Sequence, residues 1–126
     1  MNAWGVLKQA VKDAPAGATI KITGTIQAAS ASGNYGELEI TKNLTIEAKS
    51  GTATLDANNM HRIFKVTGGT LTLNNMTLEK GKVNENGGGI HVSSGTVILN
   101  QTNIEHCTAE HGGAIYAEGG CELTLN

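Results

Sequence analysis

Pairs of apolar residues separated by one other residue recur along the chain at nearly constant intervals. Two apolar side chains spaced in this way point to the same side of a β-strand. In the clearest series one pair occurs in each repeat, and its members are Ile20/Ile22, Leu44/Ile46, Leu71/Leu73, Val97/Leu99 and Leu123/Leu125. The series therefore predicts one half-buried strand in each repeat.

Two further series share the same period. One contains Leu38/Ile40, Phe64/Val66, Ile90/Val92 and Ile115/Ala117, and the other contains Ile26, Leu55, Leu78 and Ile104. Three short strands per repeat cannot each bury a face alone, but they can when successive repeats stack as coils. The pattern predicts an all-β fold, a right-handed parallel β-helix of about four turns, with the handedness taken from the usual strand-crossover preference.

The N-terminal segment has a helical pattern instead. Its apolar positions recur at helical spacing, Asn2 is a suitable N-cap, and Pro15 and Gly17 end the pattern. We predict a capping helix in residues 1–17 and a parallel β-helix in residues 18–126. Trp4 is expected to plug the open end of the coil, and a solvent-exposed platform for sugars is the alternative.

Glycines and asparagines fall between the predicted strands. Glycine enters left-handed backbone conformations without steric cost, so the glycine groups at 68–69, 87–89, 112–113 and 119–120 are expected to form the turns. Asn74, Asn100 and Asn126 each follow a strand of the first series. We expect a structural ladder of amide hydrogen bonds, with a left-handed bend at each asparagine; a ligand-binding role is the alternative.

Charge excludes some partners. The chain has nine basic and eleven acidic residues, for a net charge of −2, without long runs of either sign. A nucleic-acid footprint or a basic membrane patch is therefore not expected. The longest apolar run is far too short to cross a bilayer, so we expect no direct insertion into a membrane.

Two glycine-rich segments carry a family resemblance. Gly-Gly-Gly-Ile at 87–90 and Gly-Gly-Ala-Ile-Tyr at 112–116 resemble the Gly-Gly-Ala-Ile/Leu/Val repeats of the chlamydial polymorphic outer-membrane proteins. Where that family places Phe-x-x-Asn, this chain has Ile-Glu-His-Cys at 104–107. The resemblance implies a bacterial module that is secreted or displayed at the cell surface or outer membrane, and that meets a host or cell-surface protein or glycan.

Acidic and basic side chains are candidates for catalytic groups. Asp56 with His61 and Arg62 is the most enzyme-like set, although its turn-rich surroundings favour a structural role. Glu37 and Glu39 are expected to be solvated. The other acids, Asp56, Glu79, Glu85, Glu105 and Glu110, are expected at different phases of the repeat. We predict a non-catalytic structural or adhesive module without catalytic, cofactor or metal residues; the alternative is a fragment of a pectate-lyase-like polysaccharide-acting enzyme whose site lies elsewhere.

Several histidines and cysteines remain. His106, Cys107, His111 and Cys121 are all metal-ligand types, but their spacing is not a zinc signature. We expect the cysteines to be small buried residues, with a metal site or a disulfide as alternatives. His91 and Tyr116 occupy equivalent positions and are expected to stack on the outer face, either as a plain exposed ladder or as part of a contact surface.

The last strand stands in the middle of a repeat. Because no amphipathic segment follows Leu123 and Leu125 to cover them, we expect a fragment of a longer coil that self-associates through its C-terminal ends.

Overall fold

The computed structural model of the chain describes residues 2–119 and 121–126. Helix α1 spans Ala3–Asp13. The strands are β1 (Ala18–Ile22), β2 (Thr25–Gln27), β3 (Leu38–Ile40), β4 (Leu44–Ala48), β5 (Ala53–Asp56), β6 (Phe64–Val66), β7 (Thr70–Asn74), β8 (Met76–Glu79), β9 (Ile90–Val92), β10 (Thr96–Asn100), β11 (Asn103–Glu105), β12 (Ile115–Ala117) and β13 (Glu122–Leu125).

The strands form three parallel sheets, and each sheet takes every third strand. Their orders are β1-β4-β7-β10-β13, β2-β5-β8-β11 and β3-β6-β9-β12. Every strand pairs in parallel with the strand one coil away. The chain is therefore a parallel β-helix of about four turns with one helix at its N-terminal end, as the three apolar series predict.

The register of the first coil differs from the prediction. The apolar series aligns Ile20 with Leu44, whereas in the structure Ile20 pairs with Ile46 and Ala18 pairs with Leu44. A shift of two residues keeps the same side chains on the inner face, because the side-chain period of a strand is two. Apolar spacing alone therefore cannot distinguish the two registers.

The interior is filled by stacked aliphatic side chains. Leu71, Leu73 and Val97 are fully buried, and Leu99 is almost so. Some interior positions lie outside the three apolar series, among them Met76, which is also fully buried. Met76 pairs with the small residue Ala53 of the coil before, and long thioether side chains fill the space that a small neighbour leaves.

Helix α1 closes the N-terminal end of the coil. The Asn2 side chain accepts a hydrogen bond from the Gly5 backbone N–H at 3.0 Å, which confirms the predicted N-cap. Trp4 has no exposed surface, and its Nε1 donates to the Gly36 carbonyl at 2.8 Å. Trp4 is therefore a plug, and the alternative of a solvent-exposed sugar platform is wrong.

The asparagine ladder is present. Asn100 Nδ2 donates to Asn74 Oδ1 at 2.7 Å, and Asn126 Nδ2 donates to Asn100 Oδ1 at 2.7 Å. Glu47 extends the ladder by accepting from Asn74 Nδ2 at 3.1 Å. The predicted bend is displaced by one residue, because the left-handed residues are Asn75 (φ 57°) and Gln101 (φ 50°). Asn74 and Asn100 lie within their strands, which aligns their amides along the coil axis.

The glycines serve two distinct purposes. Gly69, Gly87 and Gly112 have φ values of 73°, 72° and 61°, as expected for left-handed turns. Gly88 does not; a Cβ there would lie 2.5 Å from the Thr108 carbonyl oxygen and 2.6 Å from that of Gly113. Gly88 is thus required by the close approach of the next coil. Gly120 lies outside the described residues.

This packing predicts that Gly88→Ala destabilises the protein by about 1–3 kcal/mol, because the added methyl group overpacks the space between two coils. The matched control is Gly119→Ala, where a Cβ meets nothing within 4 Å and φ is not in the left-handed range. That variant is expected to change the stability by less than about 1 kcal/mol. Urea unfolding measures both, and equal effects would contradict the packing explanation.

Candidate functional site

Arg62 is a buried cation that connects three coils. It precedes β6, is only 5% exposed, and its Nη1 donates to Glu37 Oε1 at 2.7 Å in the coil before. Nη2 donates to the Asn86 carbonyl at 2.9 Å, and Nε donates to the Gly87 carbonyl at 3.3 Å, both in the coil after. Its planar fork satisfies groups in two directions, which a lysine ammonium could not do in the same way.

Glu37 is therefore not simply solvated, as the sequence analysis expected. Its carboxylate is paired with Arg62 and is only partly exposed. Glu39 is exposed, as expected, and it lies in register with Lys65 on the neighbouring strand. The separation of Glu37 and Arg62 along the chain is close to one repeat, and this was a signal that the two could meet.

Asp56 is buried but takes part in a different hydrogen-bond group. Its Oδ2 accepts from Gln27 Nε2 at 3.0 Å, and its Oδ1 accepts from the Asn58 backbone N–H at 2.7 Å. Among the described residues, Asp56 shares no hydrogen bond with His61 or Arg62. The enzyme-like set of the sequence analysis is thus divided, and the turn explanation for Asp56 holds.

His61 packs beneath the capping helix. Its Nδ1 lies 2.7 Å from the Arg62 carbonyl oxygen, and its ring centroid is 5.2 Å from that of Trp4. Because Nδ1 donates to the carbonyl, Nε2 is an acceptor, and it is buried without a partner among the described atoms. Burial lowers the pKa of His61 from its ordinary value of 6.5, and Lys8 adds to this effect, while the Arg62 carbonyl and Glu37 oppose it.

A polar cleft of ≈ 320 Å³ opens beside this group. Its lining includes His61, Arg62, Lys82 and Glu85. Glu85 approaches Arg62 Nη2 to 3.5 Å but is largely exposed, so this second ion pair adds little. In this cleft Arg62 is held by Glu37 and by the carbonyls of Asn86 and Gly87.

A column of carboxylates corrects the expected distribution of acids. Asp56, Glu79 and Glu105 are not at different phases: Asp56 pairs with Glu79, and Glu79 pairs with Glu105. The two steps along the chain are unequal, because the coils differ in length. The signal was available, since each acid directly follows a member of the third apolar series.

The histidines and cysteines do not converge. His111 Nδ1 lies 3.1 Å from Asn86 Oδ1, whereas Cys107 and Cys121 contact the carbonyls of Glu105 and Val92. Both cysteines are free and half-buried, so the disulfide alternative is wrong. Burial raises the pKa of the Cys107 thiol.

His106 lies instead with two members of the carboxylate column. One ligand atom from each of His106, Glu79 and Glu105 falls within 4.8 Å of the other two. Glu105 and His106 are exposed, and Glu79 is partly so. The expected neighbours of His106, which were Cys107, His111 and Cys121, are close to it in the chain, whereas the coil brings together residues one repeat apart.

His91 and Tyr116 stack on the outer face of their sheet. They are in register, and their rings meet edge to face with centroids 5.5 Å apart. His91 Nε2 also lies 3.0 Å from Glu118 Oε2. The predicted ladder is confirmed, although both aromatic rings are partly buried by these contacts.

Comparisons with protein-family models, with curated proteins and with solved structures find no match to this chain. The fold therefore rests on strand pairing and burial, and the resemblance to the chlamydial repeats stays an expectation. Within residues 2–119 and 121–126, no helix has both the length and the apolar character to cross a membrane.

The burial of His61 predicts a pH-dependent stability. Because the folded state disfavours its protonation, its contribution is complete above pH 6.5 and declines as the pH falls below that value towards the lowered pKa, with a slope of at most about 1.4 kcal/mol per pH unit. Urea unfolding from pH 7.5 to 5 measures it.

His61→Asn is the informative variant, because its amide can donate to the Arg62 carbonyl but does not titrate. We expect its stability to decline less steeply than that of the wild type in this range. His111→Asn, at an exposed histidine, is the control for the loss of one imidazole ring. A His61→Asn profile parallel to the wild type would assign the pH dependence to other groups.

Proposed function

We propose that this chain is a non-catalytic structural or adhesive β-helix module of a larger bacterial surface or secreted protein. The observation that carries the proposal is the use of Arg62: the most buried basic group joins three successive coils. A charge whose donors are committed to carbonyls and a carboxylate of its own protein cannot easily turn to a substrate. The resemblance to the chlamydial repeats supports the surface assignment.

The carboxylates support the same conclusion. Glycoside hydrolysis needs two carboxyl groups that flank a sugar ring, one on each side of the scissile bond. Glu79 and Glu105 instead lie side by side on adjacent strands of one sheet, and Asp56 is bound by Gln27 and Asn58. This arrangement does not offer the geometry of a glycoside hydrolase, and a fragment of a pectate-lyase-like enzyme whose site lies elsewhere in the parent protein is the alternative function.

An adhesive role is supported by the regular outer faces of the sheets. In-register stacking places Lys65, His91 and Tyr116 in one outward column, next to Glu118. Such a column offers a cation, an aromatic ring and hydrogen-bonding groups at the spacing of the coils, about 4.8 Å. The partner we propose is a host or cell-surface protein or glycan.

Two assays test this function. In a screen of acidic and neutral polysaccharides, with and without calcium, the protein is expected to show no turnover. Beads coated with the protein are expected to be retained on host-cell layers, and Tyr116→Ala should reduce their retention, whereas Thr45→Ala, on the outer face of a different sheet, should not. Turnover that disappears in Asp56→Asn or Glu105→Gln would overturn the proposal, as would equal retention of uncoated beads.

Self-association is a second part of the proposal. All four residues of β13 are exposed; Leu123 and Leu125 are 38% and 67% exposed, although Val97 and Leu99, their partners in β10, are buried. Among the described residues, β13 pairs with β10 on one edge only, and its other edge offers backbone groups for pairing. We propose that a second copy covers this surface in a two-fold dimer, with the C-terminal ends facing each other.

The dimer can be tested with two lysine substitutions on the same strand. Leu125→Lys places a charge on the apolar side of β13 and should weaken dimerisation at least about tenfold, since a buried leucine contributes about 1.5–3 kcal/mol. Thr124→Lys adds the same charge on the opposite side of the strand and should have little effect. Molecular mass across a dilution series measures both, and a wild-type chain that stays monomeric at high concentration would show the dimer to be wrong.

A further inference from the structure

We propose that Glu79, Glu105 and His106 form a binding site for a divalent transition-metal ion such as Zn²⁺. The three side chains offer two carboxylates and one imidazole, with a ligand atom of each within 4.8 Å of the others. Glu79 ends β8 in the third coil, and Glu105 ends β11 in the fourth. A metal ion at this point would connect the two coils. This inference replaces the expectation from sequence that the chain has no metal ligands.

The strand register creates the need for a cation here. Glu79 and Glu105 are direct partners on adjacent parallel strands, so their negative charges repel each other at the spacing of one coil. Among the described residues, neither carboxylate takes part in an ion pair or a side-chain hydrogen bond, and neighbouring Lys80 forms no ion pair with them. Of the three carboxylates in the column, Asp56 is compensated by hydrogen bonds and the other two are not.

The backbone turns His106 to the same place. His106 has a φ of 53°, and Lys80, its equivalent one coil earlier, has 57°. Both residues follow directly after a strand of the same sheet. This left-handed turn, a conformation in which histidine is enriched among non-glycine residues, brings the imidazole beside the carboxylate of the preceding residue.

The mixed donor set selects the class of metal. Calcium and magnesium prefer oxygen ligands only, whereas an imidazole nitrogen together with carboxylate oxygens suits zinc and related ions. Zinc binds such atoms at about 2.0–2.2 Å, so tetrahedral ligand atoms lie about 3.4 Å apart. The ligand atoms lie within 4.8 Å of one another, so zinc binding requires the exposed Glu105 and His106 side chains to rotate towards Glu79, with water as a further ligand.

Titration calorimetry of the purified chain with Zn²⁺ tests the site. Glu105→Gln and His106→Asn each remove one ligand, and asparagine tolerates the left-handed backbone of position 106. Each is expected to weaken zinc binding at least about tenfold, a loss that is reached even when only a hydrogen bond to a metal ligand is removed. The controls His111→Asn and Cys107→Ser, which remove the neighbouring ligand types, should bind zinc as the wild type does.

Stability provides a second readout. Saturating zinc should raise the urea midpoint of the wild type, because the ion binds only the folded chain, and the rise should be lost in Glu105→Gln. Without zinc, Glu105→Gln should be at least as stable as the wild type, since it removes a repulsion between like charges. A variant that merely damaged the fold would be less stable in both conditions.

Three results would overturn the proposal. The first is a wild-type chain that does not bind zinc. The second is binding that survives Glu105→Gln and His106→Asn but is lost in Cys107→Ser, which would assign zinc to the thiol. The third is equal replacement of zinc by calcium at similar concentrations, because an imidazole ligand would then play no part.

Discussion

Each strand of this protein hydrogen-bonds in parallel to the strand one coil away. This register places each strand residue next to the residue at the equivalent position of the neighbouring coil. A favourable side-chain contact between two coils is thereby repeated along the coil axis. Aliphatic side chains such as Leu71 and Val97 stack inside, and Asn74, Asn100 and Asn126 hydrogen-bond along a corner. A parallel sheet closed into a coil thus replaces the long-range packing of a globular core with contacts between adjacent layers.

The same register sets the distance between turns, and the corners must fit it. At Gly88 the carbonyls of the next coil lie where a Cβ would stand, so the side chain is absent for reasons of space and not of dihedral angle. Near this corner the carbonyls of Asn86 and Gly87 need hydrogen-bond donors, and the guanidinium of Arg62 supplies them. Backbone groups left without a partner at such a corner would each cost about 1–3 kcal/mol.

Much of the fold could be predicted from the spacing of the apolar pairs in the sequence, because stacked strands must repeat these pairs once in each coil. The register of β1 with β4 could not be predicted in this way, since a shift of two residues leaves the same side chains on the inner face. The candidate site was harder to predict. Unequal coil lengths made the alignment of Asp56, Glu79 and Glu105 harder to recognise, although each acid directly follows a member of the third apolar series. The position of His106 depends on a left-handed φ, which the periodicity of the apolar residues does not predict. Sequence proximity suggested Cys107 as its neighbour, whereas stacking supplied Glu79.

Stacking also imposes like charges on each other, and the chain handles them in different ways. Asp56, which pairs with Glu79, accepts hydrogen bonds from Gln27 and from the Asn58 backbone. Glu79 and Glu105 have neither compensation, and a carboxylate oxygen of each lies within 4.8 Å of the other. This distance is well below the Debye length of about 10 Å at 0.1 M salt, so salt screens their repulsion only weakly, and the strands hold both carboxylates on one face. A cation that bridges them would remove the repulsion and add a bond between coils. Contacts between equivalent residues of adjacent coils would then stabilise the outer surface as they stabilise the interior.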